Sequence, residues 1–344
     1  MNSHNKINTK LQSNIMSEND GILKALDKIN SLKKKIILIV KKSKLIGTVT
    51  DGDLRSALFL KNNNIKLKDL MNSKPKTIKN GVKNFKDEDV FKINYVPILN
   101  KKNNLIGLEN LNKVKNPQFK NHVVIFAGGF GKRLHPFTKK IPKPMLKIKN
   151  IPNLETLIRN IKKFGFQNIT VTLFFKKNYF KSKLKNKKVD FFIEKKPLGT
   201  AGSLAKIKYK NNLPILAINA DLITDLDLKN LLFFHNSYNS DFTVSVKDKT
   251  FEIPFATVDI KNNKILNLEE KPTRDYFFNA GIYTINQNVI KKLISKNEKI
   301  DMPDFINRAL KEKFKLMPFY HHEKWLDYGT LKEYLKIRRW SLQA

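Results

Sequence analysis

Beyond residue 121 the sequence alternates short apolar runs with stretches of helical period, and this alternation constrains the fold more than any other feature. Residues 123–126, 169–175, 189–193 and 214–220 are apolar runs of strand length. Helical patterns at 154–164, 201–207 and 228–234 are interleaved among them. Such runs suit strands buried on both faces, and strands separated by helices predict an α/β fold with a doubly wound, mainly parallel sheet. Sites in such sheets open at the carboxyl ends of the strands. Further strands are expected at 242–246, 256–259 and 279–285, as a substrate-side layer, and helices at 289–295, 303–311 and 331–339.

The first third of the chain follows another plan. After a polar start to about residue 20 come a helix over 22–32, a buried strand over 36–40 and a second strand over 46–50. Asp51-Gly52-Asp53-Leu54-Arg55 then opens a helix predicted to run to Leu60. The order returns imperfectly at 77–78, 95–99 and 105–108, where Leu105-Ile106-Gly107-Leu108 echoes Leu45-Ile46-Gly47-Thr48. A repeat of this size predicts one small α/β domain built from two similar halves. The polar stretch 110–121 contains Pro117 and lacks periodicity, which reads as a linker. The expected division is 1–115, a link at 116–121, and 122–344.

Composition narrows the class. The chain has 344 residues, of which 41% are hydrophobic, with 24 Phe and no Cys. Disulfides and thiolate metal sites are excluded, and no apolar run reaches the roughly 20 residues of a membrane span. A cytoplasmic protein is expected, with no membrane partner. The net charge of +37 invites a nucleic-acid partner, yet only seven of the 67 basic residues are Arg. Lys scattered among Asn, Ile and Phe follows A/T-rich codon usage, whereas a nucleic-acid surface would cluster Arg and aromatics. Nucleic acid is therefore not the expected partner.

The motif with most chemistry is Phe126-Ala127-Gly128-Gly129-Phe130-Gly131-Lys132-Arg133-Leu134, followed by Pro142-Lys143-Pro144-Met145. A buried strand running into a glycine-rich loop lets backbone N–H groups approach a phosphate, although a bare structural turn gives the same pattern. Arg133 replaces the Ser/Thr of a phosphate-binding P-loop and Leu134 the last Gly of a dinucleotide fingerprint, so neither applies. Lys143, between two prolines, sits on a stiff segment suited to fixing a charge.

This segment resembles the signature of the sugar-1-phosphate nucleotidylyltransferases, and the resemblance extends over about residues 121–344. It implies that Ala127, Gly128, Gly129, Gly131 and Lys132 hold a nucleoside triphosphate, that Arg133 meets the departing pyrophosphate and Lys143 the reacting phosphate. Lys132 stands where many relatives carry Thr. Pro197-Leu198-Gly199-Thr200-Ala201-Gly202 resembles the base-recognition loop, implying roles for Gly199 and Thr200, although alone it reads equally as a strand-to-helix turn. Asp221 follows a buried strand, and Asp327, in Trp325-Leu326-Asp327-Tyr328-Gly329-Thr330, resembles the second metal carboxylate. Together they imply an Mg²⁺ site completed by phosphate oxygens. Asp327 also reads as an acid at a helix start. Glu270-Lys271-Pro272 and Asn279-Ala280-Gly281 resemble the sugar-phosphate-binding pieces: Glu270 for hydroxyls, Lys271 for phosphate, Gly281 for a backbone N–H. Glu270-Lys271 alone reads as a solvated charge pair. His321 and His322 lack a spaced metal-ligand partner, which favours packing.

Residues 15–115 resemble a pair of cystathionine-β-synthase-type (CBS) domains, and Gly47-Thr48-Val49-Thr50-Asp51-Gly52-Asp53 matches their nucleotide signature. An adenine or guanine nucleotide is implied at Thr50 and Asp53; the second half, with Gly107-Leu108-Glu109, lacks the pair. A purely architectural, dimerising module fits the same pattern. A CBS pair ahead of this catalytic unit resembles bacterial guanylyltransferases that supply GDP-glucosamine for legionaminic acid synthesis. The implied reaction joins an NTP, GTP favoured, to a hexose or hexosamine 1-phosphate. A UTP-, dTTP- or CTP-using relative and a catalytically impaired regulator are the alternatives.

Overall fold

A computed structural model describes residues 9–32, 35–59, 64–83, 95–111 and 118–343. Its centre is a seven-stranded sheet, whose strands we number in chain order: β1 (Phe119–Phe126), β2 (Phe166–Leu173), β3 (Asp190–Ile193), β4 (Ile215–Asn219), β5 (Phe242–Glu252), β6 (Thr273–Ile285) and β7 (Leu316–Tyr320). The order across the sheet is β3-β2-β1-β4-β6-β5-β7. All neighbours run parallel except β6, which is antiparallel to both β4 and β5. The mainly parallel α/β expectation holds, with one reversed strand.

The continuous apolar run of β1 is explained by cover on both faces. Val123 and Ile125 pack into a core with Leu154, Leu157, Ile158 and Ile161 of the helix Asn153–Lys163. Val124 points the other way, into a core holding Met302 and Phe305 of the helix Met302–Lys311. Both faces are thus sealed, and chemistry is confined to the strand ends.

The link was expected at 116–121, yet β1 already begins at Phe119. Phe119 stacks on Phe166 with ring centroids 4.8 Å apart, and Asn121 Nδ2 donates to Pro214 O at 2.7 Å. These two contacts recruit a polar stretch into the strand. Residues 112–117 and Leu60 lie outside the described residues.

The front unit repeats itself in register. Ile36–Lys41 pairs with Lys44–Thr50, and Tyr95–Leu99 with Leu105–Asn110, both antiparallel. Gly47 faces Ile39 and Gly107 faces Ile98, and each ladder shifts register at the next residue, between Ile39 and Val40 and between Ile98 and Leu99. Each half adds a short parallel strand, Ile15–Met16 and Ile78–Lys79. Ile37 and Ile39 face a core of the first half alone, whereas Ile36 and Leu38 meet Leu105 of the second. No helix among the described residues is long and apolar enough to cross a membrane.

Candidate active site

One short ladder and one turn bring the principal candidates together at the carboxyl end of β4. Asp221 follows β4 by two residues, and Leu222–Thr224 then pairs antiparallel with Trp325–Asp327, Leu222 facing Asp327. This pairing brings the two carboxylates together across about a hundred residues of chain. Lys143 opens the turn Lys143–Met145 and is buried. Its Nζ donates to Asp221 Oδ2 and lies 3.6 Å from Asp327 Oδ1. Lys143, Asp221 and Asp327 therefore form one cluster.

The cluster is charged and incompletely satisfied. Asp327 Oδ1 is buried without a hydrogen-bond partner. Burial and the neighbouring Asp221 charge push the Asp327 carboxyl up, against the pull of Lys143. Asp327 is not needed as a helix cap, because Thr330 and Glu333 cap the last helix reciprocally. Two half-buried carboxylates with a free oxygen edge are a hard-donor set of the kind Mg²⁺ accepts. Among the described residues no group of three or more metal-ligating side chains occurs, so the remaining donors would be phosphate and water.

Beside the cluster a cleft of about 400 Å³ is lined by Ala127, Gly128, Gly129 and Gly131, by Gly199 and Thr200, and by Lys143, Asn219 and Asp221. Gly131 has φ +66°, and Thr138 Oγ1 donates to its carbonyl at 2.8 Å. Gly129 faces open space, leaving room for a ligand against the backbone. Gly199, at φ +77°, lies so close to Ile300 that a Cβ would stand 2.4 Å from that carbonyl oxygen.

The remaining candidates lie less centrally. Lys132 and Arg133 are exposed on the turn Lys132–Leu134 and do not line the cleft. Glu270 and Lys271 are exposed and outside it as well. The Gly281 N–H is not open to a ligand as expected: it donates to Asn279 Oδ1 at 2.9 Å. The Thr200 N–H is likewise taken, by Asp301 Oδ1 at 2.9 Å. His321 is a packing residue, buried and hydrogen-bonded to Thr224 and Ser245.

Three side chains were missed in the sequence. Asn153 is buried, and its Nδ2 donates to the carbonyls of Ala220 (3.2 Å) and Leu222 (3.0 Å), bracing the residues on either side of Asp221. Glu194 lines the cleft; its Oε2 accepts the Leu198 N–H at 3.0 Å, and burial pushes its carboxyl up. Asp301 fixes the Thr200 loop through Thr200 N–H, and Thr200 Oγ1 accepts from Met302 N at 2.8 Å. Only Glu194 had a local signal, three residues before Pro197.

Thr50 and Asp53 form a capping box at the helix Asp51–Leu58, with Thr50 N and Oγ1 both donating to Asp53 Oδ2 at 2.7 Å. Both also line a second cavity of about 470 Å³.

A mannose-1-phosphate guanyltransferase of Aspergillus oryzae is 30% identical over 226 residues, which are 62% of each chain. A D-glycero-alpha-D-manno-heptose 1-phosphate guanylyltransferase of Aneurinibacillus thermoaerophilus is 28% identical, over 63% of this chain and 96% of its own. This chain thus spans about three fifths of the length of the fungal relative. Among solved structures, HddC from Yersinia pseudotuberculosis matches with a TM-score of 0.50 and 28% identity, covering 64% of this chain and 98% of HddC. HddC has also been solved in complex with GMP-PN. The family model of nucleotidyl transferases matches residues 122–343, and the chain belongs to that family.

Proposed function

We propose that this chain transfers a guanylyl group from GTP to a sugar 1-phosphate, a hexose or hexosamine with glucosamine 1-phosphate as the leading candidate, releasing pyrophosphate. The product would be a GDP-sugar for surface glycan synthesis. The observation that carries the reaction is Lys143 held between Asp221 and Asp327 beside a glycine-lined cleft. Phosphoryl-type transfer needs little covalent work from side chains, so positioning and charge neutralisation dominate.

A phosphate oxygen of the sugar attacks the α-phosphorus in line as pyrophosphate leaves. The Gly128–Gly131 backbone approaches the triphosphate, and Lys143 neutralises charge at the reacting phosphate. Arg133, exposed on its turn, meets the departing pyrophosphate, and Lys271 the sugar phosphate with Glu270 on the hydroxyls. Asp221 and Asp327 would hold Mg²⁺, whose charge offsets that of the triphosphate oxygens. The similarity to guanylyltransferases of mannose and heptose 1-phosphates supports this sugar class.

The base assignment rests on Glu194. Guanine carries N1–H and N2–H₂ side by side, a donor pair that one carboxylate can accept, and its N2 amino donor is absent from the other bases. Uracil and thymine flank their single N3–H with carbonyls that a carboxylate repels. Pyrophosphate release across four nucleoside triphosphates and a panel of glucosamine, mannose and heptose 1-phosphates tests the reading. GTP should win by kcat/KM, and Glu194→Gln should lower that preference by about tenfold or more, the loss of roughly one charge-assisted hydrogen bond. Equal use of UTP would overturn the base assignment.

For the front unit we infer a CBS pair binding one adenine or guanine nucleotide at Thr50 and Asp53, in a chain that forms a homodimer. The duplicated ladder with its matching register shifts supports the pair. Titration of the intact chain with AMP and GMP, against Asp53→Ala, tests the site.

A further inference from the structure

The cavity at Thr50 and Asp53 is not enclosed by the front unit alone. Its opposite wall is the helix Leu228–Ser237 of the catalytic unit, which contributes Asn230, Phe233 and Phe234, with Tyr238 just beyond. The two units are in direct contact there. Gly52 lies so close that a Cβ would stand 3.3 Å from the Phe234 ring, and Ser56 Oγ donates to Tyr238 Oη at 2.9 Å. A ligand in this cavity touches both units at once.

A buried charge chain leaves the same spot. Asp51, adjacent to Thr50 and also lining the cavity, accepts from Arg55 Nε at 2.5 Å. Arg55 is 1% exposed, although it is the longest side chain of its helix. It donates through both terminal nitrogens to the Glu323 carboxylate (2.7 and 3.1 Å) and through Nη1 to Tyr320 O at 2.6 Å, over the Phe319 ring. Burial pushes the Glu323 carboxyl up, but Arg55 outweighs it and holds it down at about 2. Two residues after Glu323 begins the strand Trp325–Asp327 that carries the catalytic carboxylate.

We propose that this cavity is a composite allosteric site: a nucleotide held by Thr50 and Asp53 is walled in by the catalytic helix Leu228–Ser237, and its presence is transmitted through Asp51, Arg55 and Glu323 to the strand carrying Asp327. The inference rests on the nucleotide reading of the front unit given above. The aromatic wall at Phe233, Phe234, Tyr238 and Tyr95 suits a base, and Lys35, whose Nζ also donates to Ile29 O at 2.8 Å, and Lys76 in the lining suit a phosphate. Coupling requires that the ligand favour one docking arrangement of the two units over another, which a cavity shared between them provides.

The test uses the full-length protein, with AMP and GMP as probes, calorimetry for binding, and the ratio of pyrophosphate release with and without the probe on each variant. One probe should bind the native chain and shift the apparent KM for the triphosphate by about fivefold or more, the lower range of measured couplings. Asn230→Trp, which fills the cavity from the catalytic side only, should weaken that binding by about tenfold. Glu323→Gln should bind the probe yet lose most of the KM shift. If binding depends on Asp53 but is untouched by Asn230→Trp and leaves the rate ratio at one, the composite site is overturned while the nucleotide reading stands. If neither probe binds in an Asp53-dependent way, the nucleotide reading fails and this inference with it.

Discussion

Lys143 stands where two carboxylates would otherwise repel each other, and this fixes what each member of the cluster can do. Its flanking prolines stiffen the backbone of a buried turn, and the contact with Asp221 holds the ammonium in place. Lys143→Ala should therefore cost about a hundredfold in kcat/KM, matching roughly 3 kcal/mol for a preorganised charge on a transferring phosphoryl group. A loss of only a few-fold would make the residue structural. Asn153 is the less visible half of the site, since it holds the carbonyls on both sides of Asp221. Asn153→Leu would remove both of these hydrogen bonds, and we expect a loss of about 1–3 kcal/mol in thermal unfolding, with kcat falling more than KM rises. Unchanged kcat would show that Asp221 needs no brace. Lys143, Asp221 and Asp327 were legible because motif and strand end coincide. Asn153 was not, because its partners lie 67 and 69 residues away and a helix-start Asn reads as an ordinary cap.

At the scale of elements, the pairing of Leu222–Thr224 with Trp325–Asp327 is what brings Asp221 and Asp327 together, and His321 bonds to Thr224 of that pairing. Burial pushes His321 down to about 4, so it is neutral in the fold, bonded to Thr224 of that ladder. An unfolded histidine titrates near 6.5, so between that pH and about 4 the unfolded chain binds the extra proton. The stability His321 contributes is thus complete above pH 6.5 and lost as pH falls towards 4, at up to about 1.4 kcal/mol per pH unit. Denaturant unfolding from pH 7.5 to 4.5 should show this slope, to which His122, His235 and His322, likewise pushed down by burial, add in the same direction. His321→Gln should reduce it; an identical slope in the variant would assign it elsewhere. Element types were legible where apolar runs were long, as in β1, β2 and β4. The helix expected over 201–207 is only the turn Gly199–Gly202 followed by Ser203–Ala205. Gly199 at φ +77° and Gly202, where a Cβ would meet Glu298 O at 2.4 Å, tie this segment to residues 298–301, which no local periodicity encodes. Likewise the lysine-rich helix Lys177–Leu184 buries only Phe180 and Leu184, too few apolar positions to register as a period.

Across the whole molecule, Arg55 is a buried charged link between the two units. Its charge is buried between Asp51 of its own helix and Glu323 of the catalytic unit, so removing it strands a carboxylate in the interface. Breaking such a pair typically costs about 3–5 kcal/mol. Calorimetry should show one cooperative transition for the native chain and two separated transitions for Arg55→Ala; a single unshifted transition would mean that the contact does not hold the units together. The alternation after residue 121 was legible in the sequence as the sheet it forms, and the repeat before residue 110 as two similar ladders. The contact between the parts was not, because Arg55 and Glu323 are 268 residues apart and an Asp-Arg pair four residues apart on a helix reads as surface.

The central claim, that Lys143, Asp221 and Asp327 form a guanylyl-transferring site, is tested most directly by the product. The chain is incubated with Mg²⁺, GTP and the sugar 1-phosphate panel, and the nucleotide fraction is analysed by mass spectrometry beside Asp221→Asn. The account predicts a GDP-sugar in amounts equal to the pyrophosphate released, and a drop of about a hundredfold or more in Asp221→Asn. No nucleotide sugar from any pairing, or undiminished product in Asp221→Asn, would contradict it.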